Sequence, residues 1–185
     1  MKRKISAPLI ASTLDIHSKD LFSFDTSPKL QHLQSFLLTL LADLEFVEQG
    51  IQHHPEGNAL FHSLQVYQWA DKESKDPEMH AAALFHDIGK AIDYAEHDRV
   101  GAEVLEGALP SRVVWLVRHH LDLLVSPTKA RRRYAGSQAL VDLELLRRWD
   151  LAGRDPYAMT ISTEEALEKV LHGLGVSIAS RNTEA

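Results

Sequence analysis

The sequence predicts an all-α protein, a bundle of helices. Three observations predict it. Apolar residues recur at three- and four-residue spacing along most of the chain, Ser, Asp or Asn stands ahead of many of those runs, and no segment alternates with period two for long. Strand-like stretches such as Val113 to Val117 are too few and too isolated to build a sheet. A mixed α/β fold would need several of these helices to be misread together.

Residues 1–24 read as an irregular lead-in, 25–176 as one domain, and 177–185 as a polar tail that frays. Within the domain, Ser27-Pro28 is a cap followed by proline at the first helical position. Leu30, Leu33, Leu37, Leu40, Leu41 and Leu44 follow at helical spacing, with Gly50 as a stop. That leucine stripe is either core or the face of a homodimer. Asn58 caps a second helix carrying Phe61, Leu64 and Tyr67. Asp76-Pro77 repeats the cap-plus-proline signal for a third, running to about Ile88. A fourth starts near Asp98 with Val100, Val104, Leu105 and Ala108. Pro110-Ser111 opens a fifth that carries apolar residues from Val113 to Leu124. Ser137 opens a sixth ending near Trp149, and Ser162 with Glu165 has capping-box spacing ahead of a seventh. The basic run Lys129 to Arg133 reads as a solvated loop able to attract an anion.

Composition narrows the function. The 185 residues include eleven histidines and no cysteine, with a formal net charge of −6 and 44% apolar residues. Without cysteine there is no disulfide framework, iron–sulfur cluster, cysteine nucleophile or thiolate zinc site, so any metal rests on His, Asp and Glu. The acidic balance argues against strong nucleic-acid binding through phosphate neutralisation. No stretch approaches the ~20 apolar residues that span a bilayer, and the start lacks a signal peptide, so a cytoplasmic protein is expected.

The chemistry gathers at Ala82-Ala83-Leu84-Phe85-His86-Asp87-Ile88-Gly89-Lys90. A carboxylate at the end of an apolar helix is costly to bury unless something offsets its charge. A divalent ion does so, and the adjacent imidazole can share it. Gly89 permits a tight turn just past the pair. His62 and Asp150 lie on other helices and can project to the same centre, the way helical bundles assemble metal sites. Two imidazoles and two carboxylates suit Mn, Fe, Co, Ni or Zn, with Mg also accommodated. His97, with Gly101 four residues on, and the pair His119-His120 are further candidates. Neighbours on a helix point about 100° apart, so at most one of that pair faces a given site well.

These residues resemble a known family. His62, His86-Asp87 and Asp150 are similar to the H…HD…D signature of the HD-domain superfamily of metal-dependent phosphohydrolases. Five local strings resemble the HD domain of bacterial CCA-adding enzymes: His54-Pro55-Glu56-Gly57-Asn58 with His62-Ser63-Leu64, then His86 to Lys90, His97 to Ala102, Leu116 to His120, and Asp150 to Arg154. They cover roughly residues 50–160 in the family's order. No nucleotidyltransferase segment precedes them, so a free-standing HD domain is expected.

The resemblance implies an HD-domain helical bundle with the metal site at its centre. It implies that His62, His86, Asp87 and Asp150 hold a first metal. It also implies that Asp87 bridges to a second ion held by His97 and by His120, with His119 as the alternative to His120. The activity implied is metal-dependent hydrolysis of a small phosphate ester such as a nucleotide, either a phosphomonoester or a 2′,3′-cyclic phosphodiester. The metal would lower the pKa of bound water and polarise a phosphoryl oxygen. Asp87 would anchor the ion and orient the nucleophile. Lys90, with His120 or Arg154, would stabilise charge or protonate the leaving oxygen. His54, Lys90 and Arg154 are the candidate substrate contacts.

Other readings of the same residues stand beside these. His86-Asp87 can be a buried hydrogen-bonded pair, Asp150 a turn cap, and Lys90 and Arg154 solvated charges. Two alternative functions use the same set: a mixed-valent diiron oxygenase, and a non-catalytic ligand-sensing domain. His17, His32, His53, His80 and His172 receive no role.

Overall fold

A computed structural model describes residues 28–176. The lead-in 1–24, the Ser27 cap and the tail 177–185 fall outside the described residues. Among those described, the regular structure is helical, apart from one isolated antiparallel bridge between Glu48 and Asn58. The helices are α1 (Pro28–Asp43), α2 (Ala59–Glu73), α3 (Pro77–Phe85), α4 (His97–Leu105), α5 (Ser111–His119), α6 (Asp122–Val125), α7 (Pro127–Arg133), α8 (Gln138–Ala152) and α9 (Thr163–Gly173). Short 3₁₀ turns occupy Leu44–Phe46 and Ile88–Ala91.

Three of the capping signals work as their chemistry requires, whereas Ser137 starts α8 without a side-chain cap bond, its Oγ donating instead to Tyr134 O at 2.7 Å. Asn58 Oδ1 accepts from Phe61 N at 2.8 Å, Asp76 Oδ1 accepts from Glu78 N at 3.0 Å, and Ser162 Oγ accepts from Glu165 N at 3.1 Å. Each satisfies a backbone N–H that the first helical turn leaves without a partner.

Four expectations change. Helix α1 ends at Asp43 and a 3₁₀ turn follows to Phe46, so Gly50 is not its stop. The third helix ends at Phe85 rather than Ile88, because His86 and Asp87 turn the chain into the 3₁₀ segment. The fifth is broken: α5 stops at His119 and a separate short α6 follows, although the apolar spacing runs through the break. The basic run expected as a loop is helix α7, with Pro127 at its first turn. Lys, Ala and Arg are strong helix formers, and proline is tolerated at that position.

The core explains the architecture. Leu30, Leu33, Leu37 and Leu41 of α1 are buried together with Leu44. The leucine stripe is therefore core. Burying each such side chain contributes roughly 2 kcal/mol. Helix α1 packs on α9, α2 on α3 and α8, α3 also on α5 and α8, and α4 on α5 and the second 3₁₀ turn. Trp149, Tyr67 and Phe85 are the largest fully buried side chains. Arg112 on α5 joins three elements, reaching Asp76 Oδ2 at 2.7 Å and Asp142 Oδ2 at 2.9 Å. No described helix is long and apolar enough to cross a membrane.

Candidate metal centre

Five pieces of chain deliver side chains to one buried point. His62 comes from the first turn of α2. His86 and Asp87 sit in the turn after α3, His97 opens α4, His120 follows α5, and Asp150 lies in the last turn of α8. All six are buried.

Close contacts at three glycines bring these pieces together. A Cβ on Gly89 would collide with His97 O and stand 2.7 Å from Gly101 N, and one on Gly101 would stand 3.0 Å from Gly89 N. The start of α4 therefore presses backbone to backbone on the 3₁₀ turn, which sets His97 beside Asp87. Gly89 is needed for this close approach; its φ is not positive. A Cβ on Gly153 would meet Val66 Cγ2 at 2.6 Å, so the end of α8 closes on α2 and carries Asp150 to His62.

Asp87 is the hub, and its two oxygens face different histidines. Oδ2 lies 3.4 Å from His86 Nε2 and 3.8 Å from His62 Nε2. Oδ1 lies 3.3 Å from His97 Nε2 and 3.7 Å from His120 Nε2. Asp150 Oδ1 lies 3.2 Å from His62 Nε2.

Each imidazole is held from behind. The Nδ1–H of His86 donates to Ala83 O at 3.0 Å, that of His97 to Tyr94 O at 2.9 Å, and that of His120 to Val117 O at 2.6 Å. All three carbonyls lie three residues upstream. His62 Nδ1 donates to Gly153 O at 2.9 Å, with Glu56 Oε1 flanking it at the same distance. Fixing Nδ1–H in this way turns the other nitrogen inward to the centre, the arrangement typical of metal-binding histidines.

The charges follow from burial and proximity. Burial pushes the His86 imidazole down to about 4 and also lowers His120, so both are neutral near pH 7. Burial opposes the charged form of Asp87, yet His86, His97, Lys90 and His62 hold its carboxyl well below the usual range. Asp150 is lowered far too: burial works against it, but His62 and His86 outweigh that. Burial alone would lower His62; its contacts with Asp150 and Glu56 and the nearby Asp87 raise it to about 9. His97 is raised against burial by Asp87.

The residues fit a divalent ion. Nε2 of His62, His86, His97 and His120 are all buried without a hydrogen-bond partner. Leaving so many buried polar atoms unpaired would cost about 1–3 kcal/mol each, whereas a cation satisfies them together. Candidate ligand atoms of His62, His86 and Asp87 lie within 4.8 Å of one another, as do those of Asp87, His97 and His120. Metal–ligand bonds of about 2.1 Å place ligand atoms roughly 3–4 Å apart, matching these spacings. Nitrogen and carboxylate oxygen donors suit the borderline divalent transition ions.

The remaining candidates separate. His120 faces the centre, with its ring 5.4 Å from that of His86 and 5.2 Å from that of His97. His119 instead bonds Asp122 Oδ2 at 3.1 Å and packs on Trp115. Lys90 Nζ lies 2.6 Å from Asp87 Oδ2 and donates to Gln49 Oε1 at 2.5 Å. Arg154 reaches His53 O at 3.0 Å and Asp150 Oδ1 at 3.4 Å. His54 Nδ1 bonds Glu56 Oε1 at 2.8 Å. Three residues without a role in the sequence reading also belong here: Gln49, Glu56 and Arg147, whose Nη1 lies 2.6 Å from Asp150 Oδ2. Glu56 is visible within the His54-Pro55-Glu56-Gly57 string. Arg147 stands three residues before Asp150 on one helix. Gln49 has no local signal.

Residues 60–165 match the model of the HD domain family, and the chain belongs to that family, which includes metal-dependent phosphohydrolases. It is also similar to a CC-adding tRNA nucleotidyltransferase of Thermus thermophilus. The identity is 32% over 121 residues, covering 52% of this chain and 26% of that protein. The chain thus spans about a quarter of the length of that relative.

Proposed function

We propose that this protein is a metal-dependent phosphohydrolase acting on a small phosphate ester, a nucleotide in the form of a phosphomonoester or a 2′,3′-cyclic phosphodiester. The observation that carries the reading is the ring of four imidazole Nε2 atoms around Asp87, each buried and unpaired, each held by a bond at Nδ1. In this reading His62, His86, Asp87 and Asp150 would hold the first ion, and Asp87, His97 and His120 would hold a second. A divalent ion bound there supplies Lewis acidity, making water more acidic and drawing charge from a phosphoryl oxygen.

The protein's own groups do the positioning. Asp87 presents one oxygen to each set of histidines and is steadied by the Lys90 ammonium. Lys90 has three donors; with one on Gln49 and its charge against Asp87, it can direct another at a phosphoryl oxygen. Arg147 and Arg154 fix Asp150 from both sides. Arg154 and His54 retain partial exposure at this edge and are the substrate contacts in the proposal. Hydrolysis adds water to phosphorus, breaks the bond to the leaving oxygen, and returns a proton to that oxygen.

The test is a panel of nucleotide phosphoesters, with Mn, Fe, Co, Ni, Zn or Mg added to chelator-stripped protein. Turnover that depends on one of these ions and is lost in Asp87→Ala supports the reading. No turnover with any ion, or equal turnover in Asp87→Ala, overturns it.

The two-sided geometry of Asp87 also accommodates a second reading, a mixed-valent diiron oxygenase. About two iron atoms per chain with a mixed-valence electron paramagnetic resonance signal would select it over hydrolysis.

A further inference from the structure

Glu56 is a buried carboxylate that the chemistry above does not use. It lies in the loop between the first 3₁₀ turn and α2, its side chain is 0% exposed, and its Oε2 has no hydrogen-bond partner. Oε1 sits 2.8 Å from His54 Nδ1 and 2.9 Å from His62 Nδ1. Among the described residues no lysine or arginine pairs with it. Burying a lone carboxylate is expensive unless a cation lies close by. The route from Glu56 to a cation runs through the His62 ring, whose far nitrogen faces Asp87 and Asp150.

The loop is built to hold this arrangement. Gln49 N donates to Gly57 O at 2.9 Å and Ala59 N to Val47 O at 3.0 Å, closing the loop at its base. Gly57 adopts φ +99°, a conformation side-chain-bearing residues rarely take, immediately after Glu56. His54 Nδ1 holds the same Oε1, and its ring stands edge-on to that of His62 at 5.1 Å.

We propose that Glu56 is a positioning residue for the metal centre: through His62 Nδ1 it orients that imidazole and raises its donor strength towards a bound cation. Gly153 O shares the same N–H, so the backbone aligns the ring while Glu56 supplies the charge. A carboxylate behind a metal-bound histidine typically changes metal affinity by about 10–100-fold. The inference rests on His62 being a metal ligand, as proposed above.

The experiment compares wild type with Glu56→Gln, a near-isostere without the charge, and Glu56→Ala. Calorimetry with Ni(II) on chelator-stripped protein should give affinity about 10–100-fold weaker in both variants, while circular dichroism shows them folded. Proton NMR of the metal-free wild type should show a far-downfield His62 Nδ1–H resonance that moves upfield in Glu56→Gln, because a neutral amide accepts more weakly. Nickel affinity within about twofold of wild type in Glu56→Gln, well short of the usual carboxylate effect, or an unmoved resonance, overturns the inference. A wild type that binds neither nickel nor any other divalent ion removes the metal-ligand role of His62 and overturns both this inference and the phosphohydrolase reading, whereas a wild type that binds nickel as tightly as Glu56→Gln overturns this inference alone.

Discussion

His97 Nε2 lies 3.3 Å from Asp87 Oδ1, while the other oxygen of that carboxylate faces His86 and His62. One aspartate therefore serves two sets of imidazoles. Replacing both His97 and His120 by alanine should remove ligands from one set only. Metal content should fall by about one ion per chain. Elemental analysis checks this; an unchanged content would show that these histidines hold no ion.

Gly89→Ala tests the backbone contact that sets His97 in place. The added Cβ would collide with His97 O, a backbone atom that no rotamer change can move aside. The variant should lose about 3 kcal/mol, or roughly 6–12 °C in melting temperature for a chain of this size. Gly50→Ala meets nothing within 4 Å and serves as the control. Equal melting temperatures for the two would contradict the account.

Metal removal should lower stability by mass action. An ion at about 100 times its dissociation constant adds about 2.7 kcal/mol, so chelation should lower the melting temperature by roughly 5–11 °C. Differential scanning calorimetry with and without chelator reads the shift directly.

Asp76 carries a pH dependence away from the centre. Burial would raise its carboxyl, but Arg112 and the backbone N–H groups of Glu78 and Met79 hold it below its ordinary value near 3.8. A group with a lowered folded pKa contributes stability above its unfolded pKa and loses it as pH falls through the folded value. Asp76→Asn keeps the helix cap and removes the charge, so it should flatten this acid-side loss. Asp76→Ala should cost a further ~1 kcal/mol by deleting the cap. Urea titrations across that pH range distinguish the two.

Much of this fold is legible locally. Asp76-Pro77, Asn58 and Ser162 with Glu165 announce helix starts because capping is a contact between near neighbours. The break after His119 is not legible, since apolar spacing continues through it. Helix α7 is hidden by its charge, which says where side chains go rather than what the backbone does. Among the candidate site residues, His62, His86, Asp87, His97, His120 and Asp150 lie together in the structure, and their role as ligands is the proposal. Glu56 stands inside the His54-to-Asn58 string, whereas the place of Gln49 depends on a loop closed by the backbone bonds Gln49 N to Gly57 O and Ala59 N to Val47 O, which residue spacing does not encode.

Elemental analysis of protein purified without chelators, set against Asp87→Ala prepared identically, tests the central claim most directly. The account predicts one or two ions of Mn, Fe, Co, Ni or Zn per chain in the wild type and none in the variant. A metal-free wild type that gains no thermal stability from any of these ions would contradict it, as would equal metal content in the two proteins.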